Sequence, residues 1–414
     1  MSLRGELSAH VAAGSIGGVS PLPRRRSIDA PDDPAPWADE DATPLAPLDG
    51  DTTADVAVVG AGLTGLWTAY YLLEADPALD VVLVERGRTG QDERGLGACS
   101  ARLGLGGDAL AARWGAAAAR EARSVLRDAV VEVGGVAAVE QVDCGFAFGG
   151  EVLVAADADA LVRLEQQAVA AERWGDETHV LDRSGLRAHV LVDDALGGTW
   201  SPEAARLDPG RLARGLLDVV VSRGARAFDS TPVARVSAAA AVTTHGTVRA
   251  TTVVDTRPTT GPRPTAATLA TPPLPTQVWA TIGLPRGELL GHSDGLRVVR
   301  TADDRLVAGR APASGARAAR TLGSLLTPVR SSRALHEALV DLLPVLADVP
   351  VTHAWQRPLA APGALPSVGV GADHAWARGG GTGPAAANVA GRTAAELVTG
   401  TQSPLTSAPW VQRV

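Results

Sequence analysis

Three glycines and a later carboxylate carry the clearest chemical signal in the sequence. Gly60, Gly62 and Gly65 form a G-x-G-x-x-G pattern, and Glu85 follows about twenty residues after the last glycine. Glycines at this spacing allow a tight turn and let the backbone approach a pyrophosphate, which the N-terminus of the following helix attracts. A carboxylate at that distance can accept hydrogen bonds from ribose hydroxyls. The pattern therefore predicts a dinucleotide-binding turn.

The neighbouring segments are the elements that would position this turn. Val56–Val59 is an apolar run typical of a buried parallel strand, a helix is predicted from about Leu63 to Glu74, and Val81–Val84 predicts the second strand. Glu85 would repel the 2′-phosphate of NADP, but this stretch leaves the choice between FAD and NAD open. The candidate cofactor contacts in this unit are Gly60, Ala61, Gly62, Leu63, Thr64, Gly65, Glu85 and Arg86.

Composition limits the classes of function. The chain has 414 residues, 45% of them hydrophobic and 20% charged, which is typical of a soluble protein with two or three domains. Its net charge of −8 provides no basic surface for nucleic acid. All 38 basic residues are arginines. The absence of lysine excludes Schiff-base chemistry with pyridoxal phosphate and a Walker-type phosphate lysine.

The two cysteines and the hydropathy pattern indicate the compartment. Cys99 and Cys144 are expected to be reduced thiols in a cytoplasmic protein, and no metal site is expected. No apolar run reaches the 18 or more residues that a membrane span requires. The arginine cluster at 24–26 has no apolar stretch after it, so we expect no signal peptide.

The chain order predicts a discontinuous dinucleotide-binding domain. Residues 1–50 are rich in Pro, Asp, Ala and Gly and predict a largely disordered N-terminal arm, with Trp37 packing on the body. Residues 51–143, 206–262 and 350–414 are assigned to the dinucleotide-binding domain, and residues 144–205 and 263–349 to a substrate domain. Within these ranges we predict helices near 108–133, 157–174, 209–223 and 333–346, a hairpin around Gly149-Gly150 and a strand at 277–282.

A second glycine cluster, Gly379 to Gly383, precedes Pro384 and a predicted C-terminal helix. A second helix N-terminus aimed into the site would favour negative charge there. This suits a flavin, whose reduced ring carries charge near N1 and C2=O, better than a neutral reduced nicotinamide.

Five motifs together carry a family resemblance. They read ADVAVVGAGLTGLWTAYYLLEADP near the start, GGTWSPEAARLDPGRLARGL with STPVARV in the middle, then TADDRLVAGR, and GGGTGPAAANVAGRTAAELVTG near the end. In order and spacing they resemble the FAD-dependent amino-acid and amine oxidoreductases, which include D-amino-acid oxidase, glycine oxidase, sarcosine oxidase and gamma-glutamylputrescine oxidase. The similarity covers roughly residues 35 to 412.

The resemblance implies an α/β flavoprotein with two domains, one Rossmann-like and doubly wound for FAD and one with a mixed sheet that shapes the substrate pocket. Such enzymes take a hydride from the carbon of a C–N bond in a small amine or amino acid, giving an imine and reduced flavin. Oxygen or another acceptor then takes the electrons. Carried over to this sequence, the backbone of Val233 would meet the adenine, and the flavin ring would be flanked by Ala98, Cys99, Gly381, Thr382 and Gly383.

The sequence departs from the family pattern near the expected flavin ring. Cys99 takes the usual serine position, and Arg257 follows Thr256 where the family pattern reads Ala-Thr-Gly. Neither cysteine lies in the C-terminal half, so FAD is expected to bind non-covalently. Some relatives use a lysine near the flavin to promote its reaction with oxygen, and this chain has no lysine. A dehydrogenase that uses another electron acceptor therefore remains open. The departures keep a further alternative open, which is a degenerate flavoprotein fold with weak or no catalysis and a binding role.

Two arginines are candidates for binding a substrate carboxylate, because a guanidinium matches its geometry. Arg357, in Trp-Gln-Arg-Pro, resembles the segment where glycine-oxidase-like members place such an arginine, and Arg310 ends a predicted strand. His292, His353 and His374 are candidate bases without a recognisable partner in the sequence. The sequence therefore identifies no catalytic residue.

Overall fold

The structure is a computed structural model that describes residues 33–38, 43–91, 93–102, 105–258, 265–310, 328–358, 364–372, 374–379 and 383–413. Its strands form a nine-stranded, an eight-stranded and a three-stranded sheet. Helices lie between the strands along most of the chain. The predicted α/β class, with more than one sheet, is confirmed.

The helices and strands of the described residues have the following bounds. The helices are α1 (Leu63–Ala75), α2 (Gly107–Trp114), α3 (Ala116–Val139), α4 (Ala158–Glu172), α5 (Arg183–Leu186), α6 (Pro209–Ser222), α7 (Thr276–Ile282), α8 (Pro328–Leu342) and α9 (Pro384–Thr399). The strands are β1 (Thr52–Val59), β2 (Val81–Val84), β3 (Ala98–Ser100), β4 (Ala147–Phe148), β5 (Glu151–Val154), β6 (His179–Asp182), β7 (Gly197–Ser201), β8 (Ala204–Arg206), β9 (Arg226–Phe228), β10 (Val233–Ser237), β11 (Ala240–Thr243), β12 (Thr247–Asp255), β13 (Thr265–Pro273), β14 (Leu289–His292), β15 (Leu296–Arg300), β16 (Arg305–Arg310), β17 (His353–Pro358), β18 (Ser367–Val370), β19 (Ala375–Arg378) and β20 (Val411–Arg413).

The nine-stranded sheet brings the predicted dinucleotide unit together. Its main path runs β20-β18-β19-β12-β1-β2-β9, and β1 pairs in parallel with both β2 and β12. Val59 lies opposite Val84 on one side and Asp255 on the other. The carboxyl ends of the three strands therefore meet at one edge of the sheet, where ligands of open parallel sheets bind.

A close helix–helix contact covers one face of this sheet. Residues of α1, α3, α6 and α9 share its apolar core, with Leu66, Trp67 and Val389 among the buried members. Gly391 of α9 lies so close to α1 that an added Cβ atom would be 2.5 Å from the Cβ of Trp67 and 2.8 Å from the backbone nitrogen of Thr68. The position of α9 against α1 thus depends on the absence of a side chain at Gly391.

The eight-stranded sheet runs β17-β13-β16-β15-β14-β5-β7-β6 and is mixed, because β5 and β14 pair in parallel. One face packs on α7 and α8 through residues such as Val298, Trp279 and Leu339. On the other face, Val299 packs with Leu96 and Ala98, which lead into β3. This second face, called the inner face below, therefore packs on residues in and next to the three-stranded sheet.

Part of the predicted N-terminal arm is held on the body. Trp37 is buried, donates its indole N–H to the Glu93 carbonyl at 2.6 Å, and meets Trp355 edge-to-face at 5.7 Å between ring centroids. Leu48 is buried in the core on the other face of the nine-stranded sheet. The expectation that Trp37 packs on the body is confirmed, whereas residues 1–32 and 39–42 lie outside the described residues.

Two local predictions are wrong for identifiable reasons. The helix predicted over 108–133 is two helices, because Gly115 adopts a φ of +89° and separates α2 from α3. The predicted hairpin at Gly149-Gly150 does not form, since β4 pairs with β8 in the three-stranded sheet and β5 pairs with β7 and β14. The glycine pair therefore passes the chain from one sheet to another.

Two further predictions concern the substrate domain. Residues 277–282 form α7 and not a strand, because Trp279 and Ile282 lie three apart on one buried helical face. The strand β17 pairs with β13 in the eight-stranded sheet, although it falls in the range 350–414 that we assigned to the dinucleotide-binding domain.

We predict that Gly391→Ala lowers the free energy of unfolding by about 1–3 kcal/mol, because the added methyl group overpacks the α1–α9 contact. Chemical denaturation followed by circular dichroism would measure this change. Gly135→Ala is the matched control, since Gly135 is an exposed helical glycine with no atom within 4 Å of an added Cβ, and it should be neutral or slightly stabilising. A Gly391→Ala midpoint at or above that of the wild type would contradict the packing argument.

Candidate active site

The glycine turn between β1 and α1 tolerates no side chains at two of its positions. Gly60 has a φ of +102°, which favours glycine. A Cβ atom added to Gly65 would lie 1.9 Å from the Gly60 carbonyl oxygen. The hydroxyl of Thr256 donates to the carbonyls of Val59 and Gly60 at 2.9 and 3.0 Å, which ties the end of β12 to the turn. The structure thus has the tight turn that the glycine spacing predicted.

The N-terminus of α1 is met by two carboxylates from elsewhere in the chain. Gly62 is the N-cap, no side chain caps the helix from that position, and its first turn has no acidic residue. The Leu63 N–H donates to Glu93 Oε1 at 3.1 Å, and the Ala61 N–H donates to Glu85 Oε2 at 2.8 Å. Both are backbone groups that we predicted to contact a pyrophosphate. This helix end therefore binds anions, as its dipole and free N–H groups lead one to expect.

Glu85 lies where the sequence placed it, directly after β2. Its Oε1 accepts from the Gly87 N–H at 3.0 Å, and its Oε2 accepts from the Ala61 N–H. The carboxylate is therefore held at the edge where the strand ends meet. Arg86 is exposed, and Thr64, another candidate contact, is half-buried at the start of α1.

An arginine occupies the other side of the turn. The guanidinium of Arg257 pairs with Asp255 at 2.9 and 3.1 Å and donates to the Val233 carbonyl at 2.9 Å. Its Cγ would lie 3.7 Å from a Cβ atom on Gly60. Arg257 therefore lies over the turn and bonds the Val233 backbone, which we expected to meet an adenine.

The predicted ring-flanking residues come together where β3 approaches α9. A Cβ atom on Gly383, which has a φ of +98°, would lie 3.2 Å from the Ala98 carbonyl oxygen. Pro384 opens α9 directly after this glycine, as predicted. Gly381 and Thr382 lie outside the described residues.

The thiol of Cys99 is buried and is expected to be unreactive. It is a free cysteine with no exposed surface, and burial raises the pKa of its thiol to about 12. Burial likewise raises the pKa of the Cys144 thiol to about 11. Both thiols are therefore protonated near neutral pH, whereas nucleophilic attack needs a thiolate.

A small polar cavity of about 90 Å³ opens on the inner face beside β3. The buried Glu151 carboxylate lies there between Arg102 at 2.6 Å and Arg297 at 2.9 Å. Burial alone would raise the pKa of Glu151, but the two guanidinium groups outweigh it and lower the pKa. The polar residues around the cavity are Ser100, Arg102, Arg123, Glu151, Gln167, Asp176, Thr178, Thr199, Ser201 and Glu203.

The two arginines proposed for a substrate carboxylate have different surroundings. Arg357 lies two residues after Trp355 in β17, so both side chains are on the inner face. Its Nη2 donates to the Arg310 carbonyl at 2.7 Å, while its buried Nε has no hydrogen-bond partner in the part of the chain that the structure describes. Burial lowers the pKa of this guanidinium to about 10. Arg310 instead faces Asp294 at 3.4 Å.

The candidate histidines do not converge on one site. His292 has a carboxylate partner that the sequence did not reveal, since its Nδ1 lies 2.9 Å from Asp294. His353 Nδ1 lies 2.9 Å from the Thr352 hydroxyl, and the Nδ1 of His374 is buried without a hydrogen-bond partner among the described residues. The geometry therefore selects none of the three as a base.

The main residues that sequence reasoning missed are charged groups whose roles depend on tertiary contacts. Glu93 follows β2 in a connecting segment, and no motif or spacing points to it. The Glu151–Arg102–Arg297 cluster joins one loop and two strands that are far apart in the sequence. Only Arg102 lies near a feature that the sequence singled out, since it follows Cys99 by three residues.

The described ranges contain neither a cluster of metal ligands nor a helix that could span a membrane. No group of three or more His, Cys, Asp or Glu side chains among these residues could hold a metal ion. None of the helices found there has the length and apolar character needed to cross a membrane.

Comparison with known proteins identifies related families. A family model described as FAD dependent oxidoreductase matches residues 55–397. Gamma-glutamylputrescine oxidoreductase of Escherichia coli (strain K12) is 29% identical over 203 residues, which cover 47% of this chain and 45% of that protein. The match thus spans less than half the length of this curated relative.

Solved structures share the fold at low sequence identity. L-amino acid deaminase from Proteus myxofaciens, in complex with anthranilate, superimposes with a TM-score of 0.69 at 15% identity, covering 90% of this chain and 96% of that one. Glycine oxidase from Geobacillus kaustophilus gives a TM-score of 0.67 at 17% identity, covering 87% and 98%. These similarities extend over both large sheets and show the fold.

We predict that neither cysteine reacts with a disulfide reagent in the native protein at pH 8, because both thiols are buried and their pKa values are raised. Labelling with Ellman's reagent should report two thiols only after denaturation. Cys99→Ser and Cys144→Ser would assign any partial reactivity to one residue. Rapid labelling of Cys99 in the folded protein would contradict the buried placement of β3.

Proposed function

Because the chain belongs to the family of FAD-dependent oxidoreductases, we propose that it removes a hydride from the carbon of a C–N bond in a small amine or amino acid. FAD, when bound, supplies the hydride acceptor, so that the organic product is an imine and the flavin is reduced. The names of its relatives support a substrate of this class, since they include a gamma-glutamylputrescine oxidoreductase and a glycine oxidase.

The residues at the sheet edge fit the nucleotide part of FAD, with two exceptions. The glycine turn, the start of α1, which its N-cap Gly62 leaves without a side-chain cap, and the Glu85 carboxylate are suited to the pyrophosphate and ribose. Glu93 and Arg257, however, reach the same edge from two sides and already use the Leu63 N–H and the Val233 carbonyl. We propose that FAD is bound non-covalently, which the protonated state of the Cys99 thiol supports.

The proposed domain division follows the two large sheets. We assign the nine-stranded sheet and its helices to a Rossmann-like FAD-binding domain, and the eight-stranded sheet to the substrate domain. The pairing of β17 with β13 supports moving the boundary from residue 350 to a point after Pro358. We also propose a cytoplasmic location, which two free buried thiols support.

The Arg357 guanidinium is the observation that carries the substrate proposal. Arg357 is half-buried on the inner face, its Nε is shielded from solvent, and desolvation alone accounts for the lowered pKa of the guanidinium, with no described carboxylate facing it. A buried cation without a counter-charge is costly, so an incoming carboxylate would relieve that cost and form charge-assisted hydrogen bonds. We therefore propose an amino acid, or another amine carrying a carboxylate, as the substrate.

The composition bears on which electron acceptor reoxidises the flavin. The chain contains no lysine, so no ammonium group is available beside the flavin to promote reaction with oxygen. We propose that oxygen reacts slowly and that another acceptor can take the electrons.

A second candidate is a degenerate flavoprotein fold that has a binding role. The observation favouring it is that Glu93 and Arg257 both occupy backbone groups of the cofactor edge. Purified protein separates the two candidates. A yellow protein that substrate bleaches without air supports the enzyme, whereas a colourless protein that FAD does not stabilise against heat supports the degenerate fold.

We predict that Arg357→Gln raises the KM for a carboxylate-bearing amine substrate by about 10- to 100-fold, because charge-assisted hydrogen bonds are lost. Steady-state kinetics with an artificial electron acceptor would measure it. The same change should leave the KM for a matched amine without a carboxylate within about twofold.

Two variants serve as controls for this measurement. Arg357→Lys keeps the charge but loses the two-pronged geometry, so we expect an intermediate KM. Arg163→Gln removes a half-exposed arginine of α4 and should leave both substrates unaffected. An equal effect of Arg357→Gln on the two amines would show that this arginine does not bind the carboxylate.

A further inference from the structure

A carboxylate from a distant segment lies on the start of α1. Glu93 is 30 residues away from Leu63 in the sequence, yet its Oε1 accepts the Leu63 N–H at 3.1 Å. The same oxygen would be 3.4 Å from a Cβ atom on Gly62. Glu93 thus lies directly over the glycine turn, at the backbone groups that a pyrophosphate would use.

Two indole rings hold this segment in place. Trp37 donates to the Glu93 carbonyl at 2.6 Å, and Trp355 donates to the Arg94 carbonyl at 3.2 Å. The two rings also contact each other edge-to-face, and Leu96 packs against them. The backbone that carries Glu93 is therefore anchored both by the N-terminal segment and by β17.

The Glu93 carboxylate and a pyrophosphate cannot both occupy the N-terminus of α1, because both are negatively charged. The turn already holds one carboxylate, because Glu85 accepts the Ala61 N–H at 2.8 Å. A bound pyrophosphate would bring further negative charge and would need the Leu63 N–H for itself. Like charges at such short range repel strongly in a partly buried site. The Glu93 side chain therefore has to leave the helix N-terminus before a pyrophosphate can take its place.

We propose that Glu93 is an internal competitor for the pyrophosphate of FAD, and that it sets the affinity and the rate with which the protein takes up this cofactor. Without FAD, the carboxylate satisfies the helix N-terminus and stabilises the turn. With FAD, the side chain rotates away while its backbone stays held by Trp37. The inference rests on FAD as the cofactor and is independent of the amine substrate proposed above.

Glu93→Gln tests the competition because it removes the charge and keeps the size of the side chain. We expect flavin-free Glu93→Gln protein to bind FAD and ADP about tenfold more tightly than the wild type, which corresponds to about 1.4 kcal/mol. Adenosine, which lacks phosphate, should bind both proteins equally. Quenching of flavin fluorescence would give the FAD affinity, and isothermal titration calorimetry would give the affinities for ADP and adenosine.

Further variants separate this role from a general effect on stability. Flavin-free Glu93→Gln should melt at a lower temperature than the flavin-free wild type, while its gain in melting temperature on adding FAD should be larger. Glu93→Asp keeps the charge but shortens the reach, so its ADP affinity should lie between the two. Glu74→Gln makes the same change of charge at the exposed C-terminal end of α1 and should alter none of these affinities.

Two results would overturn the proposal. One is ADP binding by Glu93→Gln that is equal to or weaker than that of the wild type. The other is a gain for adenosine as large as the gain for ADP, since the effect would then not arise at the phosphates. If Glu93→Gln binds ADP more tightly but no amine bleaches the flavin, the substrate proposal is wrong. The proposal that Glu93 competes with the pyrophosphate is then still supported.

Discussion

The close approach of Gly65 to the Gly60 carbonyl is the constraint on which the structure depends. An added Cβ atom would lie 1.9 Å from that oxygen, so no other residue allows α1 to begin so near the end of β1. This approach points the helix N-terminus at the edge where β1, β2 and β12 end. Gly391 then lets α9 pack on the same helix, and the start of α9 brings Gly383 to Ala98. Two glycine contacts thus connect the nucleotide edge with the site expected for the flavin ring.

The sequence predicted the strand–turn–helix–strand unit well, because the signals that specify this unit are local. Strand, turn, helix and second strand lie within Asp55–Gly87, and each is specified by hydrophobic pattern or by glycine spacing. Predictions failed where the partner of a segment is distant. The Gly149-Gly150 pair looks like a hairpin turn, but the partners of β4 and β5 lie in two different sheets. The β17 strand likewise joins a sheet that its position in the chain did not indicate.

The same distinction applies to the candidate site. Turn residues and Glu85 could be found from spacing, because the geometry of one βαβ unit fixes where they lie. Glu93 could not, since its position follows from hydrogen bonds that Trp37 and Trp355 donate to its segment. The placement of Arg257 over the turn also depends on Asp255 and on the carbonyl of Val233, which belongs to another strand. Charged side chains of this kind acquire their roles only through packing.

The glycine turn and Arg357 both attract anions, but internal carboxylates already meet this need only at the turn. At the glycine turn, helix N–H groups that attract anions already hold the carboxylates of Glu85 and Glu93, so an incoming pyrophosphate meets negative charge. On the inner face, Arg357 is half-buried without a facing carboxylate among the described residues, whereas Arg297 is neutralised by Glu151. A ligand anion is therefore opposed at the first end and favoured at the second. A helix N-terminus and a partly desolvated guanidinium each attract an anion. The fold supplies anions internally at the glycine turn and none among the described residues at Arg357, which is why we propose a cofactor that competes with Glu93 at the first and a substrate carboxylate at the second.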